Sequence, residues 1–219
     1  SALQLAFGIP LWMGYIISAV VVIPLVTHGV QMISRFQLIT QPIWVVLNIL
    51  PFFFIAFLDW DKFDLWRGFA GLGASEGAAG SVAPFDLAKF GAASAVILAL
   101  MTQIGEQVDF LRFLPAEGVS KWRHKIAIFL AGAGWVVVGA PKLLAGSFLA
   151  YLALSVGVAP EHAAEPGYMY AVAFGYMIPN QFLALMLMAV FVVISQLKIN
   201  VMNAYAGSLA WSNFFSRLT

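Results

Sequence analysis

The sequence predicts an all-α fold, a polytopic transmembrane helical bundle, because of its composition, its hydropathy and the length of its apolar runs. The 219 residues are 62% hydrophobic and only 10% charged, whereas a soluble domain is roughly half apolar and about a quarter charged. The mean hydropathy is +0.92. The apolar residues also form runs that are long enough to cross about 30 Å of hydrocarbon. Because a water-soluble fold cannot bury so much apolar surface, we expect residues 1–219 to be an integral membrane domain.

Several stretches of the chain are each long enough to cross a membrane, because each offers about 20 mostly apolar residues between polar clusters. The predicted spans are residues 10–34, 38–58, 85–107, 126–156 and 168–211. The last two exceed the length of one simple crossing. Prolines bend helices and leave carbonyl groups free, and the spans or their ends contain Pro24, Pro42, Pro51, Pro141 and Pro179.

The charges of the connecting segments predict the orientation, because cytoplasmic loops carry the excess of Lys and Arg. Segments 59–89 and 157–167 are acidic and are expected outside, whereas segment 109–125 is basic and is expected in the cytoplasm. We therefore expect the chain to lie in a bacterial inner (plasma) membrane, with Ser1 outside and Thr219 on the cytoplasmic side. Since the sequence begins without Met and stops just after a helical pattern, we expect a fragment of a longer chain.

The composition excludes several classes of function. There is no cysteine, and the three histidines lie far apart, so neither a disulfide nor a metal site is expected. A net charge of +1 gives no field that would attract nucleic acid. Enzyme activity and a bound cofactor are not expected either, since no catalytic triad, phosphate-binding loop or HExxH motif is present. The expected partners are the lipid bilayer and a small-molecule solute.

The third predicted span ends in a polar run that is a candidate binding site. Polar groups at membrane depth are costly and often functional, and here Gln103, Glu106 and Gln107 surround Gly105. Glycine permits local unwinding, and a broken helix would offer backbone groups to a solute. We therefore expect Gln103, Gly105 and Glu106 to bind substrate. In the alternative interpretation, Glu106 and Gln107 already lie at the cytoplasmic interface.

The fifth predicted span carries a polar stripe. Gln196, Asn200, Asn203 and Gly207 are spaced i, i+4, i+7 and i+11, which places them on one helical face. Asn200 and Asn203 are the substrate-binding candidates on this face. Amides and glycines also join helices inside membranes, so helix packing is the alternative explanation.

Lys198 lies about 200° around the same helix from Gln196 and Asn200, so it is expected to face elsewhere. An ammonium group at membrane depth needs a carboxylate, a carbonyl or water. Three arrangements are open: extension to the inner interface, pairing with Glu106, or replacement of a bound cation at a site that includes Ser195.

Short motifs give the chain a resemblance to a transporter family. Residues 109–113, Asp-Phe-Leu-Arg-Phe, resemble the D-[FY]-x-R-[FY] signature after the sixth helix of the nucleobase:cation symporters, the purine, cytosine and allantoin permease family. Residues 203–209, which include Asn203 and Tyr205, resemble the eighth-helix N-x-Y-S/A-x-x-L pattern of that family. Residues 29–42 resemble its turn from the fourth to the fifth helix.

The resemblance implies that the chain corresponds to the fourth to eighth helices of a twelve-helix transporter. Such transporters are built on a five-helix inverted repeat, and the chain would be part of that fold. By motif position, Gln103 lies near the place where many members hold an aromatic residue, and Asn203 matches the amide that contacts the nucleobase. Lys198 stands where the family's sodium site uses small hydroxyl residues. The resemblance therefore implies that an ammonium group replaces sodium, with proton coupling, exchange or no transport at all.

These features are compatible with three functions. The first is a secondary active transporter, a permease for a small polar nitrogenous solute of nucleobase-like kind. The second is a transporter-like sensor that binds a solute and signals to a fused or partner kinase or cyclase module beyond Thr219. A structural membrane subunit is the third, and it predicts that Glu106, Lys198 and Asn203 can become apolar without loss of function.

Overall fold

The computed structural model describes residues 2–69, 71–72, 85–114, 121–132 and 134–215, without the side chains of 99, 100, 102–104, 135 and 138. Every regular element among these residues is helical, which confirms the predicted all-α class. The helices are α1 (Ala2–Phe7), α2 (Leu11–Thr27), α3 (Gly29–Leu58), α4 (Asp61–Arg67), α5 (Leu87–Leu111), α6 (Trp122–Ala131), α7 (Trp135–Ser155), α8 (Pro160–Ala163), α9 (Pro166–Met177) and α10 (Gln181–Phe214).

Among the described residues, α3 and α10 are long enough and apolar enough to cross a membrane. They contain 30 and 34 residues, and their most apolar windows have mean hydropathies of 2.0 and 2.3. Only 11% and 28% of the residues in those windows are buried within the protein, whereas a core helix of a soluble protein is mostly buried. Their exposed apolar surface therefore suits a lipid environment better than water.

The first turn between long helices lies at His28, and not at residues 35–37 where the predicted spans divide. Gly29 has a φ of +76°, a left-handed conformation that glycine adopts without steric cost. The chain can therefore reverse between α2 and α3 within two residues. A single charge such as Arg35 does not end a helix, and α3 continues past it to Leu58.

The predicted fourth span contains two helices, because α6 ends at Ala131 and α7 begins at Trp135. Gly134 lies in the break, and its N–H donates to the carbonyl oxygen of Phe129 at 2.7 Å. A Cβ atom at Gly134 would lie 2.6 Å from that oxygen, so the close approach requires glycine.

The predicted fifth span also contains two helices, and α9 folds back along α10. The ring centroids of Tyr170 and Phe191 are 4.4 Å apart, although 21 residues of one continuous helix would separate them by about 32 Å. Pro179 supplies no backbone N–H for a continuing helix. Asn180 then starts α10, since its side-chain oxygen accepts from the backbone N–H of Leu183 at 3.2 Å.

The chain divides into two compact units, residues 1–66 with 147–219, and residues 67–146. In the first unit, α10 packs against α1, α2, α3 and α9. One apolar cluster joins α9 to α10 through Phe174, Met188 and Phe191, and another joins α2, α3 and α10 through Val22, Ile33 and Val201. A further cluster lies where α3, α7 and α9 meet, around Ile55, Phe148, Leu149, Leu152 and Ala173. In the second unit, α5 contacts α6.

Candidate functional site

A cavity of about 490 Å³ lies in the first unit, between the α1–α2 segment and α10. This volume is within the range of small-molecule sites, roughly 300–1,000 Å³. The chain between α1 and α2 forms one wall, where Gly8 has a φ of +68° and Pro10 precedes the first residue of α2. The other wall is α10, with Val192, Val193 and Leu197, and Pro166 at the start of α9 also lines the cavity.

Polar side chains from two helices form a hydrogen-bonded chain on the cavity wall. The side-chain N–H of Gln196 donates to Asn200 Oδ1 at 2.8 Å, and the side-chain N–H of Asn200 donates to Ser18 Oγ at 2.8 Å. All three residues line the cavity. With these bonds made, Gln196 Oε1 can still accept a hydrogen bond and the Ser18 hydroxyl can still donate one. The wall therefore offers an acceptor and a donor to a ligand.

The described residues that line the cavity include no Asp, Glu, Lys, Arg or His. The polar side chains among them are those of Asn200 and Ser18, which are half-buried, and of Gln196, Gln4 and Tyr15, which are exposed. A charged ligand would lose hydration here without gaining an opposite charge, and that costs several kcal/mol or more. The cavity therefore suits an uncharged molecule that is largely apolar and carries both a donor and an acceptor.

Lys198 lies on a different face of α10, as the sequence predicts. Its side chain is only 9% exposed, and its ammonium group donates to the carbonyl oxygen of Gln37 at 3.4 Å and to Thr40 Oγ1 at 3.2 Å. The Thr40 hydroxyl donates its own proton to the carbonyl oxygen of Phe36 at 2.7 Å, which leaves its lone pairs available. The extension of Lys198 to the inner interface stays a prediction, and α3 supplies the oxygen atoms that hold its ammonium group.

Ser195 contacts the same helix, α3. Its Oγ accepts a hydrogen bond from Trp44 Nε1 at 2.8 Å, and the side-chain N–H of Gln37 donates to the carbonyl oxygen of Lys198 at 3.3 Å. Within the described part of the chain, Lys198 has no carboxylate at ion-pair distance. One turn of α10 thus presents Ser195 and Lys198 to α3, and Gln196 and Asn200 to the cavity.

Asn203 and Gly207 complete the predicted stripe, but neither lines the cavity. Asn203 is exposed and Gly207 is half-buried. The side chain of Asn200 reaches Ser18, whereas further along α10 the apolar cluster with α2 and α3 includes Val201, Met202 and Tyr205. The role of Asn203 in substrate binding remains a prediction.

The candidate residues of the third predicted span lie in the second unit, on α5. The predicted break at Gly105 is wrong, since α5 is a continuous helix from Leu87 to Leu111. Glycine permits unwinding but does not impose it, and a Cβ atom at Gly105 would meet no neighbour within 4 Å. Glu106 is half-buried, and the side chain of Gln103 lies outside the described residues. Their roles in substrate binding remain predictions.

Ser18, Gln4 and Tyr15 are the site residues that the sequence analysis missed. Ser18 lies four residues after Gly14 in a run that is otherwise apolar, so both lie on one face of α2. A small residue and a hydroxyl on one face of an apolar helix are a weak signal, because they also occur in ordinary helix packing. The position of α10 beside this face is what makes Ser18 part of a cavity.

Protein-family models, curated proteins and solved structures give no match to this chain.

Proposed function

We propose that this chain is the membrane-embedded part of a permease, a secondary active transporter for a small, uncharged, nitrogenous solute of nucleobase-like kind. The observation that carries the proposal is the cavity in which Asn200 is hydrogen-bonded to Gln196 and to Ser18, and whose described lining residues include none with a charge. The family resemblance of the motifs around Arg112 and Asn203 supports the same class of solute.

The chemistry of the cavity matches a flat heterocycle that has apolar faces and a polar edge. Apolar side chains of α10, chiefly Val192, Val193 and Leu197, would contact the faces. Gln196 would accept a hydrogen bond from a ring N–H, and Ser18 would donate one to a ring carbonyl. A site that hydrogen-bonds such groups rejects analogues that lack them, because its own polar groups are then left unpaired.

The proposal includes a location in a bacterial inner membrane, with segment 109–125 on the cytoplasmic side and segments 59–89 and 157–167 outside. The excess of basic residues in segment 109–125 and of acidic residues in segments 59–89 and 157–167 supports it. The exposed apolar surfaces of α3 and α10 support a location in lipid.

We also propose that transport does not use sodium, because Lys198 already places a positive charge between α10 and α3. Its ammonium group donates to a carbonyl oxygen and a hydroxyl, and these are the oxygen types that bind hard cations. Proton coupling or exchange would then drive uptake. Accumulation in proteoliposomes should be the same with a sodium or a potassium gradient, and sodium-stimulated accumulation would contradict this assignment.

The binding experiment compares Asn200→Ala and Ser18→Ala with a matched control, Asn203→Ala, in the purified protein. Removing one hydrogen-bonding partner from a half-buried site costs about 1–1.5 kcal/mol, so we expect binding of a labelled nucleobase to weaken about tenfold. Asn203→Ala should bind as the wild type does, since Asn203 lies outside the cavity. The reverse result, in which only Asn203→Ala loses binding, would move the site to the position implied by the family motif.

A sensor is the second candidate function, and the contacts of Lys198 favour it. A cation that is part of the chain ties α10 to α3 without any ion gradient, which suits a domain that binds a solute and signals to a kinase or cyclase module. Saturable binding without accumulation in sealed proteoliposomes would identify the sensor. Gradient-driven accumulation that is lost in Asn200→Ala would identify the transporter.

A further inference from the structure

We infer that the start of α6 binds the phosphate group of an anionic phospholipid in the cytoplasmic leaflet. This inference depends on the proposed membrane location, but not on the solute cavity, which lies in the other unit.

The first observation is a concentration of positive charge. Lys121, Arg123 and Lys125 follow one another at alternate positions, and the segment from residue 121 to residue 132 contains no Asp or Glu. All three side chains are exposed. Within the described part of the chain, none of them forms an ion pair. Because the three side chains are exposed, an external anion can reach them.

The second observation is that the charges lie at the wrong end of a helix for electrostatic stability. The N-terminus of a helix is its positive end and favours acidic residues or an anion. Here the residue before α6 is Lys121, its side chain makes no capping hydrogen bond, and the first turn contains no acidic residue. The N–H groups of Trp122 and Arg123 have no acceptor within the helix. A phosphate group at this position would accept from these N–H groups beside Lys121, and Arg123 and Lys125 would add positive charge from the same turn.

The third observation places this helix end at the headgroup level. Trp122 is 73% exposed, and tryptophan is enriched at membrane–water interfaces. Immediately after Lys125 the helix becomes apolar, with Ile126, Ala127, Ile128, Phe129 and Leu130. In the same turn, His124 Nε2 is buried without a hydrogen-bond partner among the described residues. Cations, an aromatic anchor and an apolar continuation within ten residues match a headgroup joined to acyl chains better than free phosphate.

The test measures the affinity of phosphatidylglycerol and of phosphatidylcholine for the purified full-length protein in detergent, by native mass spectrometry. We expect phosphatidylglycerol to bind more tightly, and its binding to weaken as salt is raised. The triple variant Lys121→Gln, Arg123→Gln, Lys125→Gln should bind it about a hundredfold more weakly, since each cation contributes about a factor of five. Equal affinity for the two lipids in the wild type would overturn the inference.

The matched control is the variant Lys62→Gln, Arg67→Gln, Lys89→Gln, which removes the same charge from the acidic segment 59–89. We expect it to keep the wild-type affinity for phosphatidylglycerol, and an equal loss in both variants would overturn the site. If the triple variant does not fold, the single variant Arg123→Glu replaces it, with its helicity checked by circular dichroism, and it should also bind phosphatidylglycerol more weakly than the wild type. If inorganic phosphate displaces phosphatidylglycerol at an equal concentration, the site binds anions without a preference for lipid, and this result also overturns the inference. Because the triple variant should still bind the nucleobase, loss of the lipid site and failure of the proposed function are separate outcomes.

Discussion

Lys198 and Asn200 are two positions apart on α10, yet they meet different partners. The Lys198 ammonium group contacts oxygen atoms of Gln37 and Thr40 on α3, and the Asn200 amide contacts Ser18 on α2. Because 100° separates successive residues of a helix, a single turn can serve two neighbours. At this scale, each of these two polar groups has a hydrogen-bonding partner on a neighbouring helix.

The contacts of Lys198 predict an asymmetry in stability. Thr40→Val leaves the buried ammonium group with one fewer acceptor and should lower the free energy of unfolding by about 1.5–3 kcal/mol. Lys198→Met removes the charge and its desolvation cost together, so it should leave stability unchanged or raise it. Thermal unfolding in detergent measures both. A larger loss in Lys198→Met than in Thr40→Val would show that the ammonium group is a net source of stability.

At the scale of the element, a few residues decide where the apolar runs break. Gly29 begins α3, and Gly134 and Pro179 lie in the breaks before α7 and α10. A positive φ, a close backbone approach or a missing N–H makes continuation of the helix costly or reversal easy at these positions. Gly105 lies in a helix that continues without a break. Glycine in a sequence therefore indicates where a break is permitted, and the surrounding packing decides whether it forms.

Two glycine substitutions test this difference. In Gly134→Ala the new Cβ atom would lie 2.6 Å from a carbonyl oxygen, so the variant should unfold at a lower temperature. In Gly105→Ala the Cβ atom meets nothing within 4 Å, and alanine in a helix interior is favoured by about 0.5–1 kcal/mol over glycine. Gly105→Ala should therefore unfold at the same temperature or higher, whereas destabilisation there would support a broken helix at that position.

The reversal between α9 and α10 can be tested by chemical cross-linking. The chain contains no cysteine, so the pair Tyr170→Cys and Phe191→Cys introduces the only thiols. We expect a short bifunctional maleimide to cross-link the pair within one chain, because the ring centroids of Tyr170 and Phe191 are 4.4 Å apart. Phe182→Cys replaces Phe191→Cys in the control pair, which should remain unlinked. A continuous helix through Pro179 would leave both pairs unlinked.

At the scale of the whole molecule, the distribution of charge predicts the orientation. We expect Asp61→Cys to react with a membrane-impermeant maleimide from outside, and Lys125→Cys to react only from the cytoplasmic side. Inverted membrane vesicles provide the reciprocal measurement. Reaction of both positions from one side would contradict the proposed arrangement of spans.

The all-α class and the opposite placements of Lys198 and Asn200 could be predicted from composition and helical periodicity, because both follow from properties of neighbouring residues. The cavity could not, since Ser18 and Asn200 are 182 residues apart in the chain and no local pattern states which helices become neighbours. The same is true of the antiparallel packing of α9 and α10, which a hydropathy profile represents as one long apolar run. The sequence itself thus determines the hydrophobicity of each segment and the helical periodicity of its polar residues. Only tertiary packing determines which groups the polar side chains contact.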